Sequence, residues 1–243
     1  MKVKEILDFL GEKAPFDTCE EWDNVGLLVG DGEAEVTGII LCVDATDAVI
    51  ERAIRENCNV VLSHHPLMFG GVKRLCEDAF EARLLRKLIK NDVNLIAAHT
   101  NLDEAPGGVE DSLAAALGIN VDMSERFIRC GTVVQQTAGD LVLTAKQFLN
   151  PQAVFYGDHN RDIRRVAVSC GGGGDFFREA LKMGADVFVT GEMKHHERFE
   201  AQGCGMDVII AGHEETEFVV LGALKKRLEA AFGAEKTQII AVR

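Results

Sequence analysis

Short apolar runs alternate along this chain with segments in which apolar residues recur every third or fourth position, the pattern of strands alternating with helices. Residues 4–10 open with helical spacing at Ile6, Leu7 and Leu10, and a turn follows over 11–15. The run 38–43 predicts a buried strand, 46–57 a helix with Ala48, Val49, Ala53 and Ile54 on one face, and 59–63 the next strand, which together make a βαβ unit. A further helix is predicted over 80–91 through Leu84, Leu85, Leu88 and Ile89, a strand over 94–98, and a helix over 107–117 that Gly118 stops. Strands that are apolar throughout and joined through helices imply a mostly parallel sheet covered on both faces, hence an α/β fold.

Sliding the sequence against itself exposes a repeat. Residues 165–190 (RVAVSCGGGGDFFREALKMGADVFVT) lie 127 positions beyond 38–63 (GIILCVDATDAVIERAIRENCNVVLS), and strand, turn, helix and strand coincide without a gap. Residues 208–213 (VIIAGH) match 95–100 (LIAAHT) on an offset of their own, which is expected to put His213 where His99 stands. The shared order of elements predicts an internal duplication, with one α/β repeat over 1–125 and a second over 126–243. Residues 127–136 and 140–144 have strand-like content, and the connection 118–165 has no room for an additional domain. No low-complexity linker separates the repeats, so they are expected to pack together.

Composition narrows the function. A chain of 243 residues, 47% of them hydrophobic, can fill real cores, and a formal net charge of −13 opposes unspecific binding to nucleic-acid backbones or anionic lipid. No stretch reads as a secretory signal or a membrane span, so a cytoplasmic protein is expected. The seven cysteines are odd in number, scattered and free of CxxC pairs, which points to reduced structural thiols rather than disulfides or a zinc-thiolate site.

Candidate chemistry gathers at strand ends. His64 and His65 follow a buried strand at its carboxyl end, where parallel α/β sheets hold their ligands, and Pro66 bends the chain so that both imidazoles can reach one pocket. The plainer alternative is a hydrogen-bonded pair of histidines. His99 ends the next strand and Asp103 follows four residues later; metal ligation competes there with helix capping and loop solvation. His213 and Glu217 are also four apart, on one face if helical, although such pairs are common in acidic helices and a first-turn Glu also suits the helix dipole. Together these side chains form a mixed nitrogen and oxygen set suited to Zn, Fe, Mn, Co or Ni. Two such ions, bridged by Glu217 with His64 and His65 on separate metals, would acidify a shared water. The run Gly171–Gly174 is either a phosphate cradle or a tight turn. Glu192, at the strand end equivalent to His65, and His196 nearby are assigned substrate-side or supporting roles, with solvated histidines at 195 and 196 as the alternative. Trp22, the sole tryptophan, either lines the cleft or anchors the N-terminal segment on the core.

Five motifs in order, EEWDNVGLLVG (20–30), VLSHHPLMF (61–69), AAHTNLDEAPGGVED (97–111), VTGEMKHH (189–196) and AGHEETE (211–217), resemble the NIF3 family, the GTP cyclohydrolase 1 type 2 homologs, over nearly the whole chain. The resemblance implies a NIF3-like fold of two intertwined α/β repeats with parallel or mixed sheets and a dinuclear metal site between them. It also implies a toroidal homohexamer. Carried over by motif, the ligands of two divalent transition-metal ions fall on His64, His65, Asp103, His213 and Glu217, with His99 beside them as a catalytic residue assisting proton transfer. The chain lacks the domain that longer members insert between the halves, and Glu214 follows His213 where the family usually has an aromatic. The expected activity is metal-dependent hydrolysis of a nucleotide or related phosphorylated small molecule, with GTP ring opening as the specific suggestion. A non-catalytic metal-binding scaffold, a regulatory protein or a metal chaperone is the alternative.

Overall fold

A computed structural model describes residues 1–233 and 237–243. In chain order the elements are α1 (Val3–Lys13), β1 (Gly26–Val29), β2 (Gly38–Cys42), α2 (Asp47–Arg55), β3 (Val60–Ser63), α3 (Phe80–Lys90), β4 (Asn94–Ala97), α4 (Thr100–Glu104) and α5 (Val109–Ala116). They continue as β5 (Asn120–Glu125), β6 (Ile128–Thr137), α6 (Ala138–Phe148), β7 (Val154–Tyr156), β8 (Asp162–Ser169), α7 (Phe177–Lys182), β9 (Val187–Thr190), α8 (His195–Gly203), β10 (Asp207–Ile210), α9 (His213–Phe232) and β11 (Gln238–Ala241).

The chain forms two compact units, Met1–Ala105 with Leu221–Arg243, and Pro106–Val220. This division follows contacts, whereas the repeat follows sequence pattern, and the two partition the chain differently. The first unit holds a sheet of order β1-β4-β3-β2-β11, parallel except for β1 against β4. The second holds a sheet of order β5-β6-β8-β9-β10-β7, parallel only across β8, β9 and β10. Every residue of β2, β3, β4 and β9 is buried, as strands covered on both faces must be.

Strand register in the two sheets can be compared position by position along the sequence correspondence. Ile39 pairs with Val60 in the first sheet, and Val166 with Val187 in the second, the same positions one repeat apart. Val61 pairs with Leu95, and Phe188 with Val208. The antiparallel edge strands β1 and β7 extend the correspondence, each preceding its parallel trio and pairing with that trio's last strand. One expectation shifts: carried on from Leu95 and Val208, the register sets Gly212 against His99 and His213 against Thr100. His213 thus opens a helix, whereas His99 precedes one.

A second expectation changes type. Residues 140–144 lie in helix α6 rather than in a strand, because Thr137 and Asp140 form a reciprocal capping box and Ala138, Leu141, Val142 and Ala145 bury one face. Here a local cap outweighs the β-branched content.

Helices α2, α3, α5, α7 and α8 end in one motif. The amides of Cys58, Val93, Ile119, Ala185 and Met206 each reach back to a carbonyl five residues earlier, and all five of these residues are buried. The residue before each is left-handed: Asn57, Asp92, Gly118, Gly184 and Gly205 have φ between 51° and 82°. Each helix is thereby turned directly into the strand that follows. Asn57 and Gly184 are equivalent in the repeat, and a Cβ on Gly184 would meet nothing within 4 Å, so its cost there is conformational alone. Gly184→Ala is therefore expected to destabilise by ~1 kcal/mol, while Asn57→Gly should be neutral or stabilising by up to ~1 kcal/mol. Urea unfolding of the two variants measures both, and an unchanged midpoint for Gly184→Ala would contradict the account.

Candidate metal centre

In the first unit the hydrogen-bond ladder between β2 and β3 runs past the end of β3. The His64 amide donates to the Cys42 carbonyl at 3.0 Å and the His65 amide to that of Val43 at 2.9 Å, while the Ser63 hydroxyl donates to the His65 carbonyl at 2.7 Å. The backbone carrying both histidines is held as firmly as a strand.

Each of three imidazoles is then fixed through its Nδ1. His64 Nδ1 lies 2.9 Å from the Ala98 carbonyl, His65 Nδ1 3.0 Å from Asp44 Oδ1, and His99 Nδ1 2.9 Å from Asp23 Oδ1. A carbonyl or carboxylate oxygen only accepts, so Nδ1 carries the proton and the lone pair of a neutral ring sits on Nε2. The ring centroids are 5.0, 5.1 and 5.3 Å apart, and one ligating atom from each ring falls within 4.8 Å of the others. His64 is buried, and its Nε2 stands 3.4 Å from Oδ1 of Asp103, itself buried on α4. Gly108 holds the N-cap position of α5, so Asp103 does not cap that helix.

Asp23 and Asp44 escaped the sequence reading, although Asp23 lies inside the tryptophan motif and Asp44 just beyond a buried strand. Burial pushes the Asp23 carboxyl up, but hydrogen bonds from His99 and Thr100 outweigh it and hold the group at about 2. Its Oδ2 accepts from both the amide and the hydroxyl of Thr100, at 3.1 and 2.5 Å, while Oδ1 faces His99. Trp22 is 57% exposed, which does not suit a core anchor; its ring meets that of His99 edge-on at 5.8 Å.

In the second unit His213 is the first residue of α9 and Glu217 lies one turn on. His213 Nε2 is 3.0 Å from Glu217 Oε1, and its Nδ1 is 3.3 Å from Oε2 of Glu192. The Glu217 hydrogen bond, working against burial and helped by Glu192, raises the His213 imidazole to about 8. Glu217 is buried against Gly171, where φ is 52° and a Cβ would collide with the Glu217 carboxylate and crowd His213. The glycine run is thus a tight turn shaped for close approach. Two of its amides, and the one before it, are engaged internally: Cys170 N–H donates to Glu110 at 2.9 Å, Gly171 N–H to the Thr216 hydroxyl at 3.0 Å, and Gly173 N–H to the Cys170 carbonyl at 3.0 Å. Glu192 lines a cavity of about 280 Å³ with Asp175, Lys194 and Glu197. His196 is exposed on α8, and among the described residues no hydrogen bond or ion pair joins it to His213 or Glu217.

Neutral imidazoles with Nδ1 anchored and carboxylates beside them fit a divalent transition metal. All seven cysteines are free thiols and none belongs to these groups. None of the described helices is long and apolar enough to cross a membrane.

Comparison with known proteins agrees with this architecture. The chain is 35% identical to the GTP cyclohydrolase 1 type 2 homolog of Clostridium acetobutylicum, over 95% of this chain and 91% of that protein. It is 34% identical to the protein of the same name from Clostridium perfringens, over 99% and 96%. The crystal structure of the Staphylococcus aureus hypothetical protein SA1388 superposes with a TM-score of 0.91 at 33% identity, covering 100% of this chain and 96% of that one. Reduced HcgD from Methanocaldococcus jannaschii superposes with a TM-score of 0.84 at 28% identity, covering 99% and 97%. The profile of Duf34/NIF3 (NGG1p interacting factor 3) matches residues 1–243, and the chain belongs to that family.

Proposed function

We propose that this chain is a dinuclear metal protein that hydrolyses a nucleotide or related phosphorylated small molecule. The observation that carries the reading is the common anchoring of His64, His65 and His99 through Nδ1, which orients three imidazoles as ligands are oriented in metal sites. The residues that would hold two ions per chain, Zn, Fe, Mn, Co or Ni, are His64, His65, Asp103, His213 and Glu217. Ions held there would supply Lewis-acid polarisation of the substrate and acidification of a water.

The chain's own groups supply the rest. Asp23 keeps Nδ1 of His99 protonated and stabilises the imidazolium that forms when Nε2 takes a proton, the part assigned to His99. Glu192 steadies His213 on the substrate side. The name shared by the Clostridium relatives makes GTP the first substrate to test. The family resemblance further supports a cytoplasmic toroidal homohexamer, whose copy number light scattering measures.

Metal analysis of the native protein is expected to find two ions per chain, and His64→Ala and Glu217→Gln should each lose at least one. The loaded protein should consume GTP or a member of a nucleotide panel. Two bound ions with every nucleotide left intact would end the hydrolase reading.

Proton competition gives a second test. His213 titrates at about 8, above its ordinary value of 6.5, so a metal binding this imidazole must displace a proton below that pH. Apparent metal affinity should rise by up to about tenfold per pH unit as pH climbs towards about 8 and then level off where this group governs. In metal-free protein, Glu217→Gln should lower the His213 titration towards 6.5, read by NMR of the imidazole protons. An unchanged midpoint would show that Glu217 is not the cause.

A further inference from the structure

We propose that Trp22 and Phe69 form a stacking platform for a planar aromatic ring, so that the molecule served by the three-histidine cluster is a heterocyclic compound of the nucleoside class. Trp22 is 57% exposed and Phe69 55% exposed, yet their centroids are only 5.9 Å apart. Phe69 also meets the His99 ring, at 5.9 Å, so the tryptophan, the phenylalanine and the imidazole touch pairwise. Large aromatics left this open in contact with each other are uncommon away from binding sites.

Polar clamps hold the pair where burial does not. Asp23, next to Trp22, bonds His99 and Thr100, and the Thr100 hydroxyl oxygen accepts from the Glu20 amide at 3.0 Å, so the tryptophan loop is fastened on both sides of the ring. Asn24 then reaches across to the segment bearing the phenylalanine, its side-chain amide donating to the Met68 carbonyl at 2.7 Å. The platform is therefore pre-organised, and it adjoins the imidazole assigned to proton transfer. Its flanks select which end of a ligand belongs here. Glu20 and Glu21 immediately precede Trp22, and their negative charge disfavours a polyphosphate there while tolerating a neutral heterocycle. Stacking on an aromatic face needs no charge and suits any base.

The inference rests on the reading of the site as acting on nucleotides for its choice of probe, but its test does not need turnover. Trp22 is the only tryptophan, so fluorescence excited beyond the absorption of the single tyrosine, Tyr156, reports on the platform alone. Excited at the red edge of indole absorption and corrected for the weak residual absorption of the purine, the protein should be quenched saturably by guanosine or inosine. Ribose 5-phosphate and inorganic triphosphate should leave the emission unchanged. Phe69→Leu, at an exposed position, should weaken nucleoside binding on the order of tenfold or more without changing metal content. Trp22→Phe, followed by calorimetry, should bind more weakly as well. Absence of nucleoside quenching, equal quenching by the ringless phosphates, or an unchanged Phe69→Leu dissociation constant would overturn the platform. So would a blue-shifted emission shielded from acrylamide in the ligand-free protein, which would mean that a second copy covers these rings. Metal analysis on the same samples separates the two readings: two ions without nucleoside quenching removes the platform alone, and quenching without metal removes the metal centre alone.

Discussion

A parallel strand buried on both faces has one place to put polar chemistry, its carboxyl end, and that constraint organises both units. β3 and β4 are buried from end to end, and the first residues free of the apolar layers are His64, His65 and His99. The same constraint at β9 and β10 brings Gly191, Glu192 and His213 to the ends of the second trio. Backbone hydrogen bonds that persist beyond the formal strands, such as those from the His64 and His65 amides, extend sheet rigidity into the site. Catalytic or ligating groups carried this way need little support of their own.

The support they have is specific. The Ala98 carbonyl, Asp44 and Asp23 each take Nδ1 of one ring, which settles the tautomer of each neutral imidazole and its ring plane. His213 has a carboxylate at each ring nitrogen, Glu192 at Nδ1 and Glu217 at Nε2. The proton it holds up to about 8 keeps Glu192 and Glu217 compatible with a buried position for Glu217. A cation of higher charge would take over that duty from the proton. The glycine turn is the steric counterpart: Gly171 lets the backbone approach Glu217 where any side chain would displace the carboxylate.

The two parallel trios agree in their frames more than in their ends. Register, edge strand and left-handed helix termini coincide, but the histidine pair of the first repeat is replaced by Gly191 and Glu192 in the second. Apolar layers constrain the strands that lie between them, and strand ends are exempt from that demand. The one-residue displacement of His213 from the position of His99 follows the same logic, since Gly212 and His213 lie beyond the last paired residue of β10.

Much of this was legible in the amino-acid order. Apolar runs at period-breaking lengths gave the strands, amphipathic spacing gave α2, α3 and α5 nearly to their ends, and histidines placed after buried strands marked the site, because burial and periodicity are local properties of a chain. What local pattern could not supply was partnership. That Asp23 belongs to His99, that Asp44 belongs to His65, and that Gly171 makes room for Glu217 depend on residues far apart in the chain meeting across a strand end. The α6 segment was misread as strand because side-chain shape suggested β while a two-residue cap decided helix. Sequence alone determined which residues could act and the layers that would carry them; tertiary structure decided which atom faces which, since hydrogen-bond geometry exists only once the sheets have formed.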